Sequence, residues 1–315
     1  MSIPRSAAMS LIAGGLLAAA RPVAAQSGAV TVRMGTIPIE PSAEAYYGTE
    51  AGIFASNGIN PVVSTLNNGA TIVQAVLGGD LDVGEVNPFQ LAVAIARGIT
   101  LQMIAPACIY TKKVANPNVV VAKNSPIRSP KDLAGATIGV GSLGDFNQLS
   151  LFAWLDANNV PRASIKYIEL PFSSIGAALE RGTIQAGFIV EPAKSDAMRA
   201  GLIRDFADTY IAITPELATT VWFTSKAWLQ KNPEAAKNLV KAVYATGRWA
   251  NTHEKQAAEV LAKITKIDLA VISAQQRRLF ATSYDKRYVE ATLALAGKYN
   301  LLQRPVTLEE FVATI

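Results

Sequence analysis

Apolar and polar positions alternate along this chain with two periods, and the two periods take turns. Thr31-Val32-Arg33-Met34-Gly35 alternates like a strand. Residues 43–54 place Tyr46, Tyr47, Ala51 and Phe54 on one helical stripe, which Asn57-Gly58 ends. Residues 60–66 read as a strand. Residues 70–77 read as a helix that turns Ile72, Val73, Val76 and Leu77 inward, stopped by Gly78-Gly79 because glycine supplies the left-handed cap. Residues 82–86 form a third predicted strand. Asn87-Pro88 then opens a helix with asparagine as N-cap and proline at the first helical position, and Gly98 closes it.

The same alternation returns further on. Predicted strands at 119–121, 137–140, 164–170 and 185–190 are separated by a turn or short helix at 129–133 and by helices at 145–158 and 175–181. Pro192 opens the next helix. From residue 215 the pattern changes. One strand-like run, 219–224, precedes a nearly all-helical tail in which Leu239, Val240, Val243, Tyr244 and Gly247 share a stripe. Strand–helix repetition implies parallel sheets with right-handed crossovers. Two such units followed by helices imply two lobes, with the tail packed back on the first. The expected division is lobe 1 at 26–113 and 219–315, and lobe 2 at 114–218, with crossings near 110–118 and 215–221. No long flexible linker lies between them, which favours a two-strand hinge.

The first 25 residues are of another kind. Arg5 is followed by an apolar run, uncharged from Leu11 to Ala20, and then by Val23-Ala24-Ala25. That order matches a signal peptide cleaved after Ala25, which makes the expected location the periplasm. The single cysteine, Cys108, lies far from that junction, so no lipid anchor is expected there, and one cysteine forms no internal disulfide. It reads as a small buried apolar residue. The net charge of +5 is dispersed, with no basic block and no aromatic–basic interleaving, so a nucleic-acid partner is not expected.

Several blocks, in order and spacing, resemble a known family. They are Tyr46-Tyr47-Gly48, Glu50-Ala51-Gly52-Ile53-Phe54, Asn57-Gly58-Ile59, Asn68-Gly69, Ala75-Val76, and residues 78–84 (Gly-Gly-Asp-Leu-Asp-Val-Gly). Residues 94–98, 130–135 and 178–182 and Glu191-Pro192 follow in place. Together they resemble the type II solute-binding proteins of ABC importers, in the nitrate/sulfonate/taurine-like branch that includes the thiamine-pyrimidine binders (NMT1/THI5-like). The resemblance implies an α/β, two-lobe type II periplasmic binding protein fold. Each lobe would be a mainly parallel sheet flanked by helices, with the ligand cleft between lobes. It implies a monomer that passes a small-molecule ligand to the membrane permease of an importer.

Ligands of open parallel sheets bind outside the carboxyl ends of strands, where helix starts offer free N–H groups. Four such junctions are expected, at residues 37–42, 85–88, 141–145 and 191–192. The candidate ligand-binding residues are Ser42, Glu85, Asn87, Ser142, Leu143, Gly144, Asp145, Glu191 and Trp222. Ser42, Asn87, Ser142, Asp145 and Glu191 each have a second reading, as plain helix caps. For Trp222 and Phe223 a hinge-core role competes. A sulfonate-like or carboxylate anion is the first ligand expectation. A pyrimidine-like or other nitrogenous compound is the second, because Asp145 and Glu191 would oppose an anion. No catalytic residue, metal ligand or cofactor is expected. The single histidine, His253, lies in a polar helical context, and no nucleophile elbow, phosphate loop or dinucleotide fingerprint is present. The family's pyrimidine-synthase chemistry relies on cysteines and histidines that this chain lacks.

Overall fold

A computed structural model describes residues 28–114 and 117–315. The expected signal peptide, residues 1–25, lies outside them. Among the described residues thirteen strands run in chain order: β1 Val30–Thr36, β2 Ile59–Thr65, β3 Val83–Val86, β4 Leu101–Pro106, β5 Cys108–Thr111, β6 Val119–Ala122, β7 Thr137–Val140, β8 Lys166–Glu169, β9 Ala186–Phe188, β10 Ile203–Ala207, β11 Glu216–Ala218, β12 Val221–Ser225 and β13 Leu279–Phe280. They form a five-stranded sheet of order β2-β1-β3-β12-β4, a second of order β10-β6-β9-β7-β8, and a three-stranded sheet β11-β5-β13.

Both large sheets have a parallel heart. β1 pairs in parallel with β2 and β3, and β7 with β8 and β9. Each also holds a strand that reverses direction. β12 runs antiparallel between β3 and β4, and β6 runs antiparallel to β9 and β10. The sheets are therefore mixed. The chain passes from the first to the second through β5 and returns through β11, and those two strands pair with each other.

Each sheet is covered on both faces, which explains its continuous apolar strands. Val119 and Val121 join one core with Ile138, Leu149 and Phe188, while Val120 turns to the other side with Ile175, Leu179 and Ile184. In the first sheet, Val32, Met34 and Trp222 pack against Leu239 and Val243 of helix Pro233–Thr252. Ile72, Leu91, Met103 and Phe223 fill the opposite face. Full burial of side chains this size is worth about 1.5–3 kcal/mol each. Helix Arg287–Lys298 spans both cores, with Val289 and Leu293 in the first and Ala296 in the second.

Helix boundaries follow local chemistry. The helix expected over 43–54 is two, Glu44–Glu50 and Ile53–Ser56, because Gly52 takes φ 67° between them. Asn87 caps Pro88–Ala96 through a 2.8 Å bond from the Gln90 N–H. Strands β4, β5, β10, β11 and β13 were not expected from the sequence pattern. Among the described residues no helix is long and apolar enough to cross a membrane.

Candidate functional site

Between the two large sheets lies a cleft of about 590 Å³. Its walls are the segments that leave the carboxyl ends of the parallel strands. Residues 37–39, 41 and 42 follow β1, Leu66–Gly69 follow β2, Val86 ends β3 and Asn87 follows it. From the other sheet come Gly141, Ser142 and Asp145–Asn147 after β7, Pro171–Ser173 after β8 and Val190–Ala193 after β9. Thr219 and Thr220 floor it from the return crossing, and Thr265 and Ile267 reach it from the helical tail. Six strand ends thus converge where four were expected.

Five of the nine candidate residues line this cleft: Ser42, Asn87, Ser142, Asp145 and Glu191. Ser42 is not a cap. It ends a short 3-10 turn, Glu40–Ser42, and the next helix has Ala43 at its N-cap with no side-chain bond. The Ser42 carbonyl accepts the Thr36 hydroxyl, while the Ser42 hydroxyl has no partner among the described residues. Asn87 uses Oδ1 for its helix, which leaves its amide N–H groups for the cleft. Ser142 donates to Glu169 Oε1 at 3.2 Å, and that oxygen also accepts the Leu143 N–H at 2.6 Å, so the loop is pinned to the end of β8.

Asp145 both caps and lines. Oδ1 accepts the Gln148 N–H at 2.9 Å and Oδ2 accepts Asn147 Nδ2 at 3.1 Å. Burial pushes its carboxyl up to about 7, against the pull of those hydrogen bonds. Glu191 accepts the Ser195 N–H through Oε2 at 3.0 Å and leaves Oε1 unpartnered among the described residues. It is buried and precedes a cis peptide to Pro192. Gly141 admits no side chain, since a Cβ there would lie 2.6 Å from the Phe172 ring, itself a wall of the cleft.

The other four are placed elsewhere. Leu143 turns its side chain to solvent. Gly144 serves the turn, at φ 68°, and donates its N–H to Gln148 Oε1. Glu85 lies under the floor, fully buried, with Thr220 Oγ1 2.6 Å away. Burial pushes its carboxyl up to about 8. Trp222 is a correction to the expected contact. It is fully buried in the core of the first sheet and donates Nε1–H to Glu44 Oε2 at 2.7 Å. Alternation along β12 sends it away from the cleft.

Sequence reasoning missed Asn67, Asn68, Gln90, Asn147, Tyr210 and Thr220, all of which line the cleft. Asn68 caps Gly69–Gly78 as Asn87 caps its own helix, and the Asn68-Gly69 block had already marked it. Tyr210 carried no such signal; Phe146 stacks on it at 5.3 Å. The wall is otherwise apolar, with Ile37, Ile39, Leu66, Phe146 and Phe172 prominent. Among the described residues its charged side chains are Asp145 and Glu191, and no lysine, arginine, histidine or cysteine lines it. Cys108 is buried at the crossing, where burial pushes its thiol up to about 12. His253 stacks on Trp249 at 5.1 Å. Among the described residues no group of three metal-ligating side chains comes together.

A family model described as the NMT1-like family matches residues 25–266. The taurine-binding periplasmic protein of Escherichia coli (strain K12) is 28% identical over 230 residues, 72% of this chain and 68% of that protein. In fold, the chain resembles the periplasmic aliphatic sulphonate binding protein SsuA from Escherichia coli, with a TM-score of 0.76 and 18% identity over 90% of this chain and 97% of that one. It also resembles the desulfurization enzyme DSZB, with a TM-score of 0.66 and 17% identity over 90% and 96%. The fold therefore carries both binding proteins and an enzyme.

Proposed function

The chain belongs to the NMT1-like family and has the type II binding-protein fold, and from that premise we propose that it is the solute-binding component of an ABC importer, capturing a small organic molecule in its cleft and delivering it to a membrane permease. Its place of work is the periplasm, and it acts as a monomer. The observation that carries this reading is the double construction of the cleft. Three strand ends of each sheet face one another across about 590 Å³, joined by two paired crossing strands. Such a frame closes on a ligand by hinge motion.

The taurine- and sulphonate-binding relatives favour binding over turnover. Acyl, phosphoryl or sulfur chemistry needs a nucleophile or a general acid–base pair within hydrogen-bond reach of the substrate. Of the cleft hydroxyls, Ser142 has a carboxylate beside it, Glu169 Oε1 at 3.2 Å, and that oxygen is shared with the Leu143 N–H. Of its two carboxylates, Asp145 holds a helix start through Oδ1, while Glu191 holds one through Oε2 and keeps Oε1 without a partner among the described residues.

The taurine- and sulphonate-binding relatives favour a sulfonate-like or carboxylate anion as ligand, held by the Ser42 and Ser142 hydroxyls and the Asn68 and Asn87 amides. A second reading, a pyrimidine-like or other nitrogenous compound, is favoured by one observation. Glu191 Oε1 and Asp145 supply acceptors and negative charge to a wall without a cationic side chain. A molecule bearing both an anion and an amine reconciles the two. Native mass spectrometry of protein purified without denaturation tests the proposal. A retained small molecule that is lost from a Ser42→Ala/Glu191→Ala double variant supports it. A folded protein that neither retains nor takes up any member of a sulfonate, carboxylate, amine and pyrimidine panel sinks it.

A further inference from the structure

The first-lobe wall of the cleft is built from neutral carboxamides. Asn68 and Asn87 each commit Oδ1 to a helix start. Asn68 accepts the Thr71 N–H and hydroxyl at 2.9 and 3.0 Å, and Asn87 accepts the Gln90 N–H at 2.8 Å. Their NH2 groups remain for the cleft that both residues line. Gln90 adds a third carboxamide to this wall, half-buried, from the third position of helix Pro88–Ala96.

At that position a glutamine ordinarily reaches back to the N-cap N–H and completes a capping box. Gln90 does not, and among the described residues its side chain makes no hydrogen bond. It extends instead to the start of the neighbouring helix, Gly69–Gly78, and rests on Gly69. A Cβ at residue 69 would overlap Gln90 Oε1 and lie 3.0 Å from its Cδ, with Val86 Cγ1 at 3.1 Å. Gly69 does not have a positive φ. It opens a helix, where alanine is the better former, so space rather than backbone conformation accounts for the glycine. With Oε1 against Gly69, the Nε2 end of Gln90 is left for the ligand.

We propose that Gln90 is the specificity-determining residue of this wall: it donates Nε2–H to an oxygen of the bound molecule, and residue 69 stays without a side chain so that Gln90 keeps its seat. This rests on the reading of the cleft as a solute site. Asp145 and Glu191 stand on the opposite lobe. The bound molecule therefore lies with an oxygen-bearing end, whether carboxylate, sulfonate or carbonyl, on the first lobe, and with any amine or N–H end on the second. Neutral donors hold such an oxygen without the desolvation cost of a buried cation.

The test is a double-mutant cycle on the full protein. Affinities for taurine, hexanesulfonate, benzoate, benzylamine and uracil are measured by titration calorimetry, and melting temperatures without compound confirm the fold. For the compound that wild type binds best, Gln90→Ala is expected to weaken affinity about tenfold, as for one lost hydrogen bond. Gly69→Ala is expected to weaken it by a similar factor with the fold intact, because the overlap is with the far end of a flexible side chain, which swings away. The double variant should bind no worse than Gln90→Ala alone, and Gln90→Glu should abolish binding of any compound with an anionic end. Losses that multiply in the double variant overturn the proposal, as does unchanged affinity in Gln90→Ala or a best compound without oxygen, benzylamine; all three leave the importer reading standing. A wild type that binds none of the compounds removes that reading and the proposal together. Should Gly69→Ala not fold, Gln90→Ala and Gln90→Glu decide.

Discussion

Thr220 Oγ1 stands 2.6 Å from Glu85 Oε1 and 3.0 Å from the Pro41 carbonyl, while it accepts the Cys108 N–H at 3.1 Å. A hydroxyl has one proton to give, so it satisfies one of two waiting acceptors. A protonated Glu85 removes the conflict by donating to Thr220, which then donates to Pro41. Geometry and burial thus agree that Glu85 is neutral under the cleft floor, its carboxyl pushed from an ordinary value of 4.5 up to about 8. A raised carboxyl means that the folded state binds the extra proton. Its stabilising share is full below about pH 4.5 and is lost as pH rises through about 8. Glu85→Gln is expected to flatten that loss. At pH 9 the variant should melt higher than wild type by roughly 2–6 °C, on the order of 1–2 kcal/mol, with little difference at pH 5. Calorimetry across that range checks it.

Asp145 gives the cleft a pH response whose direction reports the ligand. Burial holds its carboxyl up to about 7. A ligand that presents an anion to it binds better to the protonated form, so affinity falls as pH rises from 6 to 8. A ligand that presents an amine or ring N–H gains affinity over the same interval. Titration calorimetry at pH 6, 7 and 8 separates them. Asp145→Asn retains the helix cap and should abolish the trend in either case; an undiminished slope would assign it to another group.

The hydroxyl of Ser42 has no partner among the described residues, so Ser42→Ala is expected to weaken ligand binding about tenfold, on the order of one unsatisfied ligand hydrogen bond. Its melting temperature should not change. Ser142→Ala and Glu191→Ala should also weaken binding with the fold intact. Ser142→Ala further removes one of the loop's two bonds to Glu169, leaving that of the Leu143 N–H, and should lower the on-rate. Stopped-flow binding together with thermal shifts tests all three, and unchanged affinity in the whole set removes these residues from the site.

Trp222 predicts the reverse pattern. Trp222→Phe deletes the donor to Glu44 Oε2, whose partner oxygen Oε1 already lacks a hydrogen bond. The cost is about 1–3 kcal/mol for the stranded buried group, read as a lower denaturation midpoint in urea. Ligand affinity should stay within about twofold of wild type.

The parts of the fold that were legible were those whose signal is local. Asn87-Pro88 announced a capped helix, Val119-Val120-Val121 a doubly covered strand, and the Leu239 to Gly247 stripe a packed helix. Leu101–Pro106 was silent because Gln102, Ala105 and Pro106 break any alternation, and β12 holds it in place by pairing from far along the chain. The two-residue β13 exists only because β5 is beside it. At the site, strand-end logic found residues that begin helices. It did not find Tyr210, which follows an antiparallel strand, nor Thr220, which returns from the other lobe. It mistook Trp222 because a residue's face on β12 is set by a register that only the folded sheet defines.

Asn68, Asn87 and Asp145 each hold a helix end with one oxygen while facing the ligand space. Serine, threonine, aspartate and asparagine all perform the holding task, yet they differ in charge and in what they donate. These positions can therefore be rewritten among four residues at little cost to folding, and each rewriting changes which molecule fits. Selection on such a protein can change its nutrient by spelling in that four-letter alphabet, leaving the scaffold untouched.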